Sequence, residues 1–114
     1  MSAHPLIDRD HLAAQTFGDA DLAREVLGLF VEQCRRLVPA IAEAGRPAGE
    51  RADLAHTLKG AALGIGAVRV AALAGIVEAR LRGEGDPEAP ARDLAAAAAE
   101  TVALIAAETG PAGG

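Results

Sequence analysis

Aromatic side chains are almost missing from this chain of 114 residues: it has no tryptophan, no tyrosine and two phenylalanines. Proteins that hold single-stranded nucleic acid stack bases on aromatic rings, and those that hold duplexes neutralise phosphates with basic patches. Neither resource is at hand, since 16 acids face 11 lysines and arginines and the formal net charge is −5. Nucleic acid is excluded as an expected partner. A single cysteine, Cys34, allows no internal disulfide and suggests no Cys-based zinc site. Long apolar runs are missing too. The stretch "LAAAAAETVALIAA" is interrupted by Glu100 and Thr101, well short of a membrane span. The opening "MSAHPLIDRDH" lacks the basic start and apolar run of a signal peptide. A protein of the reducing cytoplasm, with no membrane partner, is the expectation.

What is abundant is alanine and leucine. Hydrophobic residues make up 51% of the chain, and alanine and leucine lead the helix-propensity ranking. The chain reads as all-α. A short helix is expected over 8–16, opened by Asp8 and closed by Gly18. A long one over 20–44 has Asp19 as N-cap and an apolar face of Leu22, Val26, Leu29, Phe30, Leu37, Val38 and Ile41. Pro39 lies inside that pattern and should bend or divide it. Gly45, Pro47 and Gly49 mark the next connection, and a third helix spans 49–64, with Gly64 and Gly66 at its end. A fourth covers 67–82, with Val70, Leu73, Ala74 and Val77 facing inward. "GEGDP" at 83–87 then breaks the chain, with Asp86 as N-cap and Pro87 at the first position of a fifth helix running to about 108. Four long segments with short connections predict an antiparallel four-helix bundle preceded by a short N-terminal helix. It forms a single domain over 1–114, with a core over about 6–108 and a flexible tail over 109–114.

The third helix carries the chemistry, in "DLAHTLKGAALGIGA" at 53–67. At about 100° per residue, Leu54, Leu58, Ala61, Ala62 and Ile65 fall within an arc of roughly 100°, the width of a core-facing stripe. His56 lies about 170° from the middle of that arc and should face solvent. Lys59, Gly60, Leu63 and Gly64 share its side of the helix. Each glycine there costs roughly 0.8–1 kcal/mol of helix propensity against alanine. Glycine beside an exposed imidazole clears room for another surface, and Leu63 offers that surface an apolar contact. Lys59, three residues on, can reach an anion carried by the ring. An exposed imidazole is largely neutral near pH 7 and can act as a covalent nucleophile. The chain has no glycine-rich nucleotide loop, Walker motif or metal-binding acid cluster, so a phosphoryl donor and most of the catalytic apparatus must come from a partner.

At these residues "AHTLKGAALGIGA" resembles the signature of histidine-containing phosphotransfer (HPt) domains, matched by His56, Leu58, Lys59, Gly60, Ala61, Ala62, Gly66 and Ala67. "LIDRDHL" is similar to the family's short N-terminal helix, "FGDADLAREVLGLFVEQC" to its long helix, and "LAGIVEARLRGEG" to the segment ending at the helix hairpin. The resemblance implies a four-helix bundle that carries a phosphoryl group on His56 between receiver-domain aspartates in a two-component His–Asp phosphorelay. By position His56 is the phospho-acceptor and Lys59 the phosphate stabiliser. Gly60, Leu63 and Gly64 form the docking face. Such a protein is a carrier with no kinase active site and no cofactor of its own, the Mg²⁺ belonging to the receiver. Its partners would be response-regulator receivers, with a hybrid histidine kinase as a further candidate, and the carrier itself a monomer.

Three positions depart from the pattern: Ala61 where serine is frequent, Gly64 where a larger polar residue is usual, and Glu78 where some members have a glutamine that orients the histidine. His4 and His11 are read as ordinary surface or end residues, and Arg35, Arg36, Arg80 and Arg82 as solvated faces. Gly60 and Gly64 form a G-x-x-x-G outside any apolar 20-mer, so it is not a membrane-packing motif. The rival reading is a helical interaction module that binds a receiver or kinase without accepting phosphate, and intact His56 and Lys59 argue against it. A purely structural bundle is a third reading. The phosphorylatable domain of a chemotaxis-type kinase is a fourth, and would need a much longer chain. The Met start and glycine tail favour a stand-alone protein.

Overall fold

The computed structural model describes residues 6–109, which leaves His4 and the tail over 110–114 outside the described residues. Five α-helices follow one another, and no strand occurs among the described residues: α1 Arg9–Gln15, α2 Ala20–Ala42, α3 Ala48–Ile65, α4 Val68–Ala79 and α5 Glu88–Thr109. The all-helical expectation is met.

Helix ends follow from capping residues. The Asp8 carboxylate accepts from the backbone N–H of His11, and that of Asp19 from Asp21 and Leu22, so exposed N–H groups at the starts of α1 and α2 find partners. Gly66 closes α3 in the left-handed conformation, with Ala67 N–H reaching back to the Ala62 carbonyl. Gly64, expected at this end, is still helical. Beyond Ala79 the chain widens into a π-type turn over Arg80–Glu84, broken at Gly83 and Gly85 with φ of 112° and 139°. Asp86 accepts from the Glu88 N–H, as expected, while Pro87 sits one residue ahead of α5. Pro39 does not divide α2, which continues to Ala42. Near a helix end few turns remain to be disturbed, and the Arg51 guanidinium donates to the Ile41 carbonyl there at 2.7 Å.

α3 packs on α2 and α4, α5 packs on the same two helices, and α1 lies against α3. The N–H of Asp8 donates to the Gly66 carbonyl, fastening the N-terminal segment to the α3–α4 corner. The core is built from Phe30, Leu37 and Ile41 of α2, Leu58 of α3, Val70 and Val77 of α4, and Leu94 and Ile105 of α5, filled in by alanines. On α3 the buried side is Ala52, Ala55, Leu58, Ala62 and Ile65, whereas Leu54 and Ala61, expected inside, are only half-buried. The contact face is turned toward the alanines because a helix flanked on two sides buries the side where backbones approach, and small residues fit there. Leu29, expected on the inner face of α2, is exposed and Leu27 is buried instead, while Cys34 is buried as well.

Candidate functional site

With α3 packed through Ala55 and Leu58, His56 is turned outward and its side chain is 64% exposed. Glu78 comes to it from α4. The Nδ1 of His56 lies 3.1 and 3.2 Å from the two carboxylate oxygens of Glu78. The Glu78 side chain is only 14% exposed and has three cationic or donor neighbours. The Lys59 ammonium donates to Oε1 at 3.1 Å. The Arg82 guanidinium donates to Oε2 from Nε at 3.2 Å and from Nη2 at 3.1 Å. Nη2 of Arg82 also donates to Asp53 of α3 at 3.1 Å.

The electrostatics follow from this crowding. Burial alone raises the pKa of Glu78, but the hydrogen bonds from Lys59, His56 and Arg82 outweigh it and bring the carboxyl down to about 2. The same contacts, Asp53 first and then Glu78, push the Arg82 guanidinium up. A carboxylate only accepts hydrogen bonds, so a neutral His56 ring that makes this contact would carry its proton on Nδ1 and leave its lone pair on Nε2, the nitrogen turned away from Glu78.

Lys59 runs its stem past Gly75, where a Cβ would lie in van der Waals contact, 3.4 Å from the lysine Cδ. Its ammonium is engaged by Glu78 rather than free beside the ring. Gly60 and Gly64 are exposed, and a Cβ at either would meet nothing within 4 Å. Leu63 is 55% exposed between them. The structure thus brings His56, Lys59 and Glu78 together and leaves Gly60, Leu63 and Gly64 as open surface on the same helix.

Arg82, expected on a solvated face, is instead a bridge between Glu78 and Asp53. Its sequence signal was the i,i+4 spacing from Glu78. Asp53, three residues before His56, is the other member the sequence did not single out. Arg80 instead donates to the Asp86 carbonyl in the α4–α5 turn. His11 is half-buried rather than a surface residue, with Nε2 free of any hydrogen bond. Among the described residues, no group of three or more His, Cys, Asp or Glu is arranged to hold a metal ion, and no helix is long and apolar enough to cross a membrane.

No curated protein matches the chain. The family model described as Hpt domain matches residues 25–108, from within α2 to the last turn of α5. That span is well over half of the chain and includes Asp53, His56, Lys59, Glu78 and Arg82. The resemblance read from the motif is borne out, and the chain belongs to the Hpt domain family, whose role is phosphotransfer in two-component systems.

Proposed function

We propose that this protein carries a phosphoryl group on Nε2 of His56 between the aspartates of receiver domains in a His–Asp phosphorelay. The observation that carries the reading is the exposed imidazole whose other nitrogen is held by the Glu78 carboxylate. The Nε2 lone pair attacks the phosphorus of a receiver's aspartyl phosphate. The N–P bond forms as the P–O bond to the aspartate breaks, and the aspartate leaves as a carboxylate. The Nδ1 proton stays on the ring, so the phosphorylated ring is cationic, and the facing Glu78 carboxylate favours that charge. In the second transfer a receiver carboxylate attacks the phosphorus and the N–P bond breaks. Lys59 is assigned to the phosphoryl oxygens, and Gly60, Leu63 and Gly64 to receiver docking. Mg²⁺ is supplied by the receiver.

The same reading takes the ring of contacts α2–α3–α4–α5 as the antiparallel four-helix bundle, with α1 added at the α3–α4 corner. A long axis of 43 Å against 28 and 26 Å accords with it. A single domain, a monomer and a cytoplasmic setting belong to this proposal, the last in keeping with the lone buried thiol of Cys34.

The test is incorporation of acid-labile phosphate from a panel of phosphorylated receivers with Mg²⁺. Wild type should take up label that survives base and is lost in acid, and His56→Gln should take up none while keeping its helical circular-dichroism spectrum. Gly60→Glu should lose most of the transfer by placing bulk and negative charge on the docking face. Label on His56→Gln would refute the acceptor, and receiver binding without label on wild type would favour the interaction module.

A further inference from the structure

Glu78 creates a conflict for a phosphoryl carrier, and Arg82 is placed to relieve it. The carboxylate that orients His56 also holds the Lys59 ammonium at 3.1 Å, and Lys59 is the cation on the same face of α3 assigned to the phosphoryl group. When the N–P bond forms at Nε2 and the donor aspartate leaves, a dianionic group appears on the ring. Turning Lys59 toward that group takes a hydrogen bond away from Glu78 Oε1, and without a further cation the carboxylate would face the new anion with the ring charge alone to offset it. Arg82 makes two hydrogen bonds to the other oxygen, Oε2, and none to His56 or Lys59. It is itself anchored from the opposite helix, where Asp53 accepts from Nη2 at 3.1 Å. Its backbone stands in the widened turn at the end of α4, four residues from Glu78.

We propose, on the phosphocarrier reading of His56, that Arg82 is a positioning residue of the transfer site: anchored by Asp53, it holds and neutralises Glu78 so that Glu78 goes on orienting His56 while Lys59 turns to the phosphoryl group. The charges agree with this division of labour. With a neutral ring, Lys59 and Arg82 balance Glu78 and Asp53. After transfer the ring cation and the phosphoryl dianion leave a single net negative charge, which loss of Arg82 would double. Geometry makes the same point, since each cation has its own carboxylate oxygen and Lys59 can leave without opening the Arg82 contact.

The experiment compares wild type with Arg82→Gln, Arg82→Lys and Asp53→Asn, all changes at exposed side chains. Two readouts are needed: the ¹⁵N-detected tautomer of His56 in the unphosphorylated protein, and single-turnover transfer from a phosphorylated receiver as its concentration is varied. Wild type should hold the Nδ1–H tautomer. Arg82→Gln should shift the ring toward Nε2–H and slow the maximal transfer rate about three- to tenfold, the range for one charged contact in a partly exposed site. Its half-saturating receiver concentration should not move. Arg82→Lys should recover part of the rate, and Asp53→Asn should show a smaller loss in the same direction. An unchanged tautomer and maximal rate in Arg82→Gln would overturn the proposal, as would a change confined to half-saturation, which would make Arg82 a partner contact. Failure of the carrier reading itself looks different, because wild type then takes no label while the tautomer comparison still reports whether Arg82 holds Glu78.

Discussion

At the scale of single residues, Glu78 is the one on which the others depend. Its carboxyl lies at about 2, below the ordinary value near 4.5, because Lys59, His56 and Arg82 hydrogen-bond to the charged form and outweigh the opposing effect of burial. A folded-state pKa lowered in this way contributes stability that is fully present above the ordinary value and is lost as pH falls through the folded one. Wild type should therefore lose more stability than Glu78→Gln between about pH 5 and pH 2. In urea titrations the gap between the two midpoints should be widest above that window and closed at its acid end. A gap of constant size across the window would mean that the carboxylate's charge is not what holds the cluster. The exposure of His56 was legible in the sequence, because one helix and its periodicity suffice to find the side opposite the core. The engagement of Lys59 and the role of Arg82 were not. Asp53 and Arg82 are 29 positions apart, and nothing in the spacing of either helix tells how far along α3 the end of α4 will fall.

Single helices were readable where a side chain or a dihedral angle acts locally. Asp8 and Asp19 cap where they were expected to, Asp86 caps from one residue further out because α5 starts at Glu88, and Gly66 ends α3 because only a residue without a Cβ takes φ of 79° cheaply. Gly64 was misread as part of that ending, since composition alone does not separate a glycine that turns the chain from one that bares a surface. The same distinction can be measured on α3. Gly66→Ala would put its Cβ 2.8 Å from the Asp8 carbonyl oxygen at a positive φ, so the backbone at the α1–α3 contact must move. A loss of roughly 1–3 kcal/mol is expected. Gly60→Ala meets open space and should instead gain about 0.8–1 kcal/mol, the propensity difference in an exposed helix interior. Chemical denaturation of the two variants reads both signs. A loss of stability in Gly60→Ala would mean that its glycine is needed for the fold rather than for clearance. What the pattern could not place was the exact burial of α2 and α3, where Leu29 and Leu54 yield to Leu27 and Ala55. Helix contact in an alanine-rich core is decided by how closely backbones approach, and the largest apolar side chains are poor guides to it.

For the molecule as a whole, stability rests on closing α5 against α2 and α4, since a single cysteine allows no internal disulfide. Cys34 reports on that closure. It is 3% exposed and sits with Val38, Ala95, Ala98 and Val102 where α2 meets α5. Burial pushes its thiol up to about 11, so at neutral pH the native protein offers a thiol reagent little thiolate and little access. Reaction then requires an opening that parts α5 from α2. If the helices form one cooperative unit, labelling of Cys34 in native buffer should run about a thousandfold or more below that of the urea-unfolded chain. Its rate should climb with sub-denaturing urea as steeply as global unfolding does. Labelling that is fast and indifferent to urea would mean that α5 opens on its own while α2, α3 and α4 stay folded. Glu78, Arg82, Asp53 and His56 all lie on α3, α4 and the turn that follows, so phosphotransfer would then survive an opening that exposes the core. Slow, urea-sensitive labelling ties the same four side chains to the integrity of the entire bundle, because α3 rests on α2, which α5 holds in place, and α4 rests on α5 itself.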